Sequence, residues 1–345
     1  MVSVTILGAG ITGLTIASQL PIDHRITIIG KHLPDDPVDF DYASLWAGAC
    51  WVGVPDSSSQ DQKLQLDAYS GLYRTASEHP DSGLRISEVK EVIEQGVHAS
   101  PDAIWWQNKV QGFRFLKPDE LPERAAWGMA YSTIIISPQI FLKWLKTRLT
   151  ARGVQFKRMT VQDLHELKHL GHDLLINASG ASTRFLPSIS EKTLVPVRLQ
   201  SLVIEKEWDQ GFIYRGSGGY YFNIFGRPDG TCYVGGFKDF GVEDRTIYDV
   251  QRQTILTRGS QVLSQVFLSD NLEDYKVLYD IATTYHYRPQ ECGGTRVEKE
   301  LVDGQMVIHA YGQEAGGFSY SFGVARAVAE LVSDHAFELP VPSRL

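Results

Sequence analysis

Three glycines near the start of the chain, Gly8, Gly10 and Gly13, carry the spacing G-x-G-x-x-G. The pattern is weak alone, but here it follows the apolar run Val2 to Leu7, opens a stretch with Leu14, Ile16, Ala17 and Leu20 at helical spacing, and leads to a second apolar run, Arg25 to Ile29. Strand, glycine turn, helix and strand within 30 residues make a dinucleotide cradle. The first glycine allows the tight turn, the second lets backbone N–H groups approach a pyrophosphate, and the third lets the helix pack closely, with its N-terminus facing the phosphates. The second strand ends Ile28-Ile29-Gly30-Lys31-His32, without the acidic residue that would take a ribose hydroxyl. Lys31 in that place is compatible with a 2′-phosphate, as in NADP, and equally with a flavin dinucleotide whose adenosine is held by other groups. No second G-x-G-x-x-G is present for a nicotinamide cofactor, which favours a single tightly held FAD.

Other segments must position whatever this turn binds. Ser137-Pro138 reads as the cap of a helix carrying Ile140, Phe141, Trp144, Leu145 and Leu149 on one face and stopping at Gly153. Val154 to Phe156 and Leu174 to Ile176 read as further strands. From about 190 to 280 the pattern changes to hairpins: Leu202 to Glu205, Tyr220 to Phe225 and Thr231 to Val234, with Arg227-Pro228-Asp229-Gly230 as a turn. Met306 to His309, a glycine turn over 312–317 and a helix over Ser321 to Val332 close the chain much as it begins. The expected fold is α/β, a Rossmann-like dinucleotide-binding domain (1–57, 137–190 and 281–345) interleaved with a second domain (58–136 and 191–280) built on a mainly antiparallel sheet.

Composition narrows the classes. Among 345 residues there are 33 Lys and Arg against 41 Asp and Glu, a formal charge of −8, which argues against nucleic acid as a partner. The hydrophobic share of 43% and charged share of 21% are those of an ordinary globular chain. No run of about 18 apolar residues exists, so no membrane span is expected. Cys50, Cys232 and Cys292 lie far apart without C-x-x-C spacing, so neither a disulfide framework nor a thiolate metal site is indicated, and no metal is expected. G-x-S-x-G does not occur. The final Ser343-Arg344-Leu345 is a variant of the peroxisomal S-K-L tripeptide.

Several segments together resemble the D-amino-acid oxidase and D-aspartate oxidase family. Ala43-Ser44-Leu45-Trp46-Ala47-Gly48-Ala49-Cys50-Trp51 is similar to the A-S-x-W-A-G-A-N-W of fungal members, with Cys50 in place of Asn. Phe113-Arg114-Phe115-Leu116 with Glu120-Leu121, and Asn177-Ala178-Ser179-Gly180, match two further motifs. The most specific likeness is Tyr287-Arg288-Pro289, Gly293-Gly294-Thr295-Arg296-Val297-Glu298, and His309-Ala310-Tyr311-Gly312 through Gly316-Gly317. The resemblance implies an FAD oxidase that takes a D-amino acid and O₂ to a 2-oxo acid, ammonia and hydrogen peroxide. It also implies peroxisomal residence through an import receptor that reads the terminal tripeptide. Monomer and homodimer both stay open.

The resemblance assigns residues as well. Arg288 becomes the clamp on the substrate α-carboxylate, a role suited to a planar fork that binds carboxylates bidentately, although an Arg before Pro is by itself more often an ion-pair residue. The second anchor, a strand Tyr hydroxyl, falls on Tyr221 counted from Gly216-Ser217-Gly218 and on Asn223 counted back from Arg227-Pro228; two apart, they share a strand face, and Tyr221 is the choice. Arg215 and Lys238 lie near positions where D-aspartate oxidases hold a side-chain carboxylate, so both pointing inward favours an acidic substrate. Gly317 and Tyr320 complete the substrate set. The implied cofactor contacts are Gly8, Gly10, Ile11, Thr12 and Gly13 at the pyrophosphate, Lys31 by the adenosine, and Ser44, Gly48 and Trp51 along the ribityl chain and ring. Val161, Gly180 and His286 join them, with Gly312, Gly316, Gly317, Phe318 and Ser319 at the far edge. NADP-dependent reduction and non-catalytic nucleotide binding are the competing functions.

Overall fold

β-Branched residues in the first segment form β1 (Ser3–Leu7), whose Val4 and Ile6 are buried, and the chain turns at Gly8 into α1 (Ile11–Gln19) and returns as β2 (Arg25–Gly30). The computed structural model describes residues 1–313 and 316–338. β1 lies near the centre, between β2 and β7 (Leu174–Asn177), of a six-stranded sheet completed by β6 (Gln155–Arg158), β14 (Gln305–Tyr311) and β13 (Arg296–Val302), in the order β13-β14-β7-β1-β2-β6. All pairings are parallel except β13 with β14. Helix α3 (Pro138–Ala151) and helix α5 (Ser321–Glu338) pack with α1 to cover this sheet. The Thr15 hydroxyl donates to Ser321 O at 3.3 Å, tying α1 to α5.

The second sheet has eight strands in the order β12-β8-β11-β10-β9-β3-β5-β4. β3 (Leu84–Glu94), β4 (Arg114–Phe115) and β5 (Ala125–Ile136) precede β8 (Val195–Glu205), β9 (Gly211–Arg215), β10 (Tyr221–Gly226), β11 (Thr231–Phe240) and β12 (Val277–Tyr287). Pairing is antiparallel except where β3 runs parallel to β9. Helix α2 (Ser59–Glu78) packs against α5, and α4 (Asp249–Val262) packs against β8, β10 and β11.

Alternation along β10 explains how one strand serves a core and a cavity. Phe222 and Ile224 are fully buried in an apolar cluster with Phe212, Val234 and Leu256, while Tyr221, Asn223 and Phe225 point the other way. The α/β class and the mainly antiparallel second sheet match expectation. Two local expectations at α3 do not hold. Ser137 makes no side-chain capping bond, its buried Oγ having no partner, because its carbonyl and Pro138 at the first turn start the helix instead. Ile140, expected on the apolar face, is exposed because the buried stripe of α3 runs through Pro138, Phe141, Leu142, Leu145 and Leu149 and Ile140 falls beside it. The tripeptide Ser343-Arg344-Leu345 lies outside the described residues. No helix among the described residues is long and apolar enough to cross a membrane.

Candidate active site

The glycine turn is fixed by backbone contacts that only glycine permits. Gly8 has φ +118°, donates to Ile29 O at 2.7 Å, and a Cβ there would stand 2.2 Å from Ala178 O. A Cβ on Gly13 would stand 1.9 Å from Gly8 O, so α1 lies on the turn at backbone contact. No acidic residue occupies the first turn of α1, and Ser44 Oγ accepts from Ile11 N at 3.1 Å, drawing the 43–46 segment over the helix N-terminus. That terminus, with its outward N–H groups, suits a pyrophosphate.

A groove of about 830 Å³ runs from this turn, lined by Gly8, Gly10, Ile11, Thr12, Lys31, Ser44, Val161, Gly180 and His286 among the expected residues. It meets a second cavity of about 280 Å³ through Ile11, Ala43, Ser44 and Thr284, which line both. Gly48, Gly316, Gly317, Phe318 and Ser319 wall the smaller cavity, together with the polar side chains of Tyr221, Asn223, Arg215 and Lys238. The result is a channel with a cationic, glycine-lined nucleotide end and a flat, largely apolar end.

At the smaller cavity the Tyr221 hydroxyl accepts from Asn223 Nδ2 at 2.9 Å, which leaves its own proton to donate. The alternatives Tyr221 and Asn223 thus form one unit on one strand face. Asn223 Oδ1 is buried without a partner. Lys238 lies 5.1 Å from the Tyr221 ring centroid and has no carboxylate within ion-pair distance among the described residues. Arg215 is bound instead: its Nε and Nη2 donate to Glu91 Oε2 at 3.2 and 2.8 Å, and Tyr131 donates to Glu91 Oε1 at 2.6 Å. Burial lowers the Arg215 pKa but the Glu91 carboxylate outweighs it, leaving Arg215 firmly cationic. Burial and Glu91 raise the Tyr131 phenol well above its usual range, so it remains a donor.

Five expected residues line neither space: Gly13 packs against Gly8 beneath the turn, and four others sit elsewhere. Trp51 is fully buried, donates from Nε1 to Gln65 O at 2.9 Å and lines neither space. Tyr320 is buried and accepts from Gln65 Nε2 at 3.0 Å. Gly312, at φ +90°, packs over Arg288 Cβ, and its carbonyl accepts from Arg288 N at 3.2 Å. Arg288 itself lies behind that turn, with Nε donating to Thr193 Oγ1 at 3.2 Å, Nη1 to Gly294 O at 3.4 Å, and Glu191 Oε2 3.8 Å away. It does not line the cavity. His286 faces the nucleotide groove rather than the smaller cavity, its Nε2 2.9 Å from Arg184 and 3.1 Å from Glu243, and burial lowers its pKa.

Sequence reasoning missed several residues. Lys31 is paired with Asp41 at 2.7 Å, and Asp41 also meets Arg245 at 2.5 Å, so the groove mouth carries a carboxylate supplied from another segment; Lys31 and Arg245 hold the Asp41 pKa down at about 2. Arg227, read only as a turn residue, is buried and reaches back to Ala47 and Gly48 at the cavity wall. No spacing rule links residues 180 or 204 positions apart, so nothing local marks the contacts of Arg227 or of Arg245.

Residues 3–331 match the DAO family, described as FAD dependent oxidoreductase. The chain belongs to that family. It is 29% identical to a D-aspartate oxidase of Talaromyces thermophilus over 95% of this chain and 94% of the relative. It is 27% identical to a D-amino-acid oxidase of Fusarium vanettenii over 96% of each, and 29% identical to human D-aspartate oxidase over 98% and 97%. In fold it resembles glycine oxidase from Geobacillus kaustophilus, with a TM-score of 0.75 at 16% identity over 97% of this chain and 95% of the other. The channel fits the family's cofactor, FAD. The glycine cradle has no room for side chains at Gly8 and Gly13, the helix N-terminus suits the pyrophosphate, and Gly48 and Gly316 to Ser319 wall the other end.

Proposed function

We propose that the protein oxidises D-amino acids, taking a D-amino acid, O₂ and water to a 2-oxo acid, ammonia and hydrogen peroxide. When bound, FAD supplies the acceptor for the hydride from Cα and the route by which the electrons reach O₂. The observation that carries the reading is the smaller cavity. It joins the dinucleotide groove and sets a hydroxyl donor, Tyr221, and a cation with no ion-pair partner among the described residues, Lys238, in an otherwise largely apolar wall beside the Glu91-paired Arg215, which is the chemistry of a small anionic substrate. Among the described residues no carboxylate or imidazole lines that cavity. The amine therefore reacts in its neutral form, and orientation does most of the work. Tyr221 donates to the α-carboxylate while Asn223 fixes its hydroxyl. Arg288 completes the clamp by turning its guanidinium from Thr193 toward the cavity, a movement this reading requires.

Lys238, without an ion-pair partner among the described residues, favours a second reading, acceptance of acidic side chains. The proposed domain division, 1–57, 137–190 and 281–345 against 58–136 and 191–280, assigns each sheet mainly to one part. Peroxisomal residence through Ser343-Arg344-Leu345 is proposed on the tripeptide, and a fluorescent fusion with and without those residues tests it. The function itself is tested by a peroxide-coupled assay over a panel of D-amino acids and their L enantiomers. Peroxide from D substrates supports it; a panel without peroxide overturns it.

A further inference from the structure

Glu91 is a buried carboxylate with no part in the chemistry above. It stands on β3, is 1% exposed, and does not line the cavity. Both its oxygens are engaged from within the protein, Oε1 by the Tyr131 hydroxyl and Oε2 by two nitrogens of Arg215. Arg215 does line the cavity, a third of its side chain being exposed. The cation that faces a bound side chain thus has a permanent counter-ion 2.8 Å behind it. A second carboxylate arriving on Arg215 from the cavity would meet one guanidinium already shared and a like charge close by.

We propose that Glu91 sets the side-chain selectivity of this cavity by cancelling Arg215, so that among the described lining residues Lys238 alone acts as a net positive charge on a substrate's side chain. The inference rests on the reading of the cavity as the amino-acid site. Glu91 acts through Arg215 and is a positioning residue, not a catalytic one. Its removal releases the Arg215 charge into the cavity, and its removal together with Arg215 leaves the net charge where it began.

These consequences are separable. The readout is the ratio of kcat/KM for D-aspartate to that for D-alanine, measured on the FAD-loaded enzyme. Glu91→Gln, which keeps an acceptor for Tyr131, is expected to raise the ratio about tenfold or more. The double variant Glu91→Gln with Arg215→Gln replaces the pair by neutral groups of similar shape and is expected to keep the ratio within about threefold of wild type. A ratio unmoved or lowered by Glu91→Gln overturns the inference. So does a tenfold fall in the double variant, which would mean that Arg215 already binds the substrate's second carboxylate; this arm decides the question even if the single variant fails to fold. Should the wild type release no peroxide with any D-amino acid, the functional reading fails separately. The ratio is then read from dissociation constants of malonate and acetate titrated into the yellow holoenzyme, with the same expectations for both variants.

Discussion

Arg227 offers a sharp test of how the second sheet shapes the flavin end of the channel. Its guanidinium, 3% exposed, donates from Nε to Gly48 O at 2.6 Å, from Nη2 to Ala47 O at 2.9 Å and from Nη1 to the Tyr279 hydroxyl at 3.3 Å. Ala47 and Gly48 line the cavity, so one side chain at the end of β10 fixes the loop against which the ring would lie. Arg227→Ala removes two short charge-assisted bonds to carbonyls, each worth about 1.5–3 kcal/mol. Because both carbonyls are only half-buried and water can reach them, the lower end applies, roughly 3 kcal/mol in total. For a chain of 345 residues that corresponds to a fall in Tm on the order of 4 °C. The same loosening is expected to weaken FAD binding about tenfold or more, because ordering the loop must then be charged against binding. Lys in place of Arg restores only part of either loss, since one ammonium cannot span two carbonyls in a fixed fork. The assays are thermal unfolding and fluorimetric titration of apoprotein with FAD. Arg227→Ala that melts within about 1 °C of wild type and binds FAD unchanged would rule out this role for Arg227.

Four further outcomes are expected. Gly13→Ala places a Cβ 1.9 Å from Gly8 O, backbone against helix, so it costs about 3 kcal/mol or more and strips FAD, seen as loss of colour after gel filtration. Lys238→Ala lowers kcat/KM for D-aspartate by about tenfold while D-alanine changes by less than about threefold, read in the peroxide assay. Arg288→Ala raises KM by about a hundredfold or more for every D-amino acid, since the α-carboxylate is common to all of them; an unchanged KM would remove Arg288 from the clamp. His309 is fully buried, and burial and then Arg296 lower its pKa from 6.5 to about 4. The unfolded chain binds the proton first, so the stability this gives is complete above about pH 6.5 and lost as pH falls toward 4. Denaturant unfolding of His309→Gln over that range should show a flatter profile.

What the sequence revealed and what it hid divide along physical lines. Gly8, Gly10 and Gly13 were legible because a dinucleotide turn is local, and a Cβ would collide with the Ala178 backbone at Gly8 and with the Gly8 backbone at Gly13, so those two positions exclude a side chain. The hairpin β10 to β11 was legible from Arg227-Pro228-Asp229-Gly230, where Gly230 takes φ +80°. Alternation correctly put Tyr221 and Asn223 on one face. Glu91, in contrast, looks like any strand carboxylate; its meaning comes from the parallel pairing of β3 with β9, which brings it to Arg215 across 124 positions. Trp51 was expected at the cofactor because its segment is, but its indole turns inward to Gln65. Spacing locates a segment at a site, and packing decides which side chains face it.

The central claim is that the channel holds a flavin which D-amino acids reduce. Anaerobic titration of the purified yellow protein tests it most directly. D-Alanine or D-aspartate should bleach the visible flavin band, admission of O₂ should restore it with release of hydrogen peroxide, and the L enantiomers should leave it unchanged. A colourless protein, or a flavin that D-amino acids fail to bleach, would contradict the account.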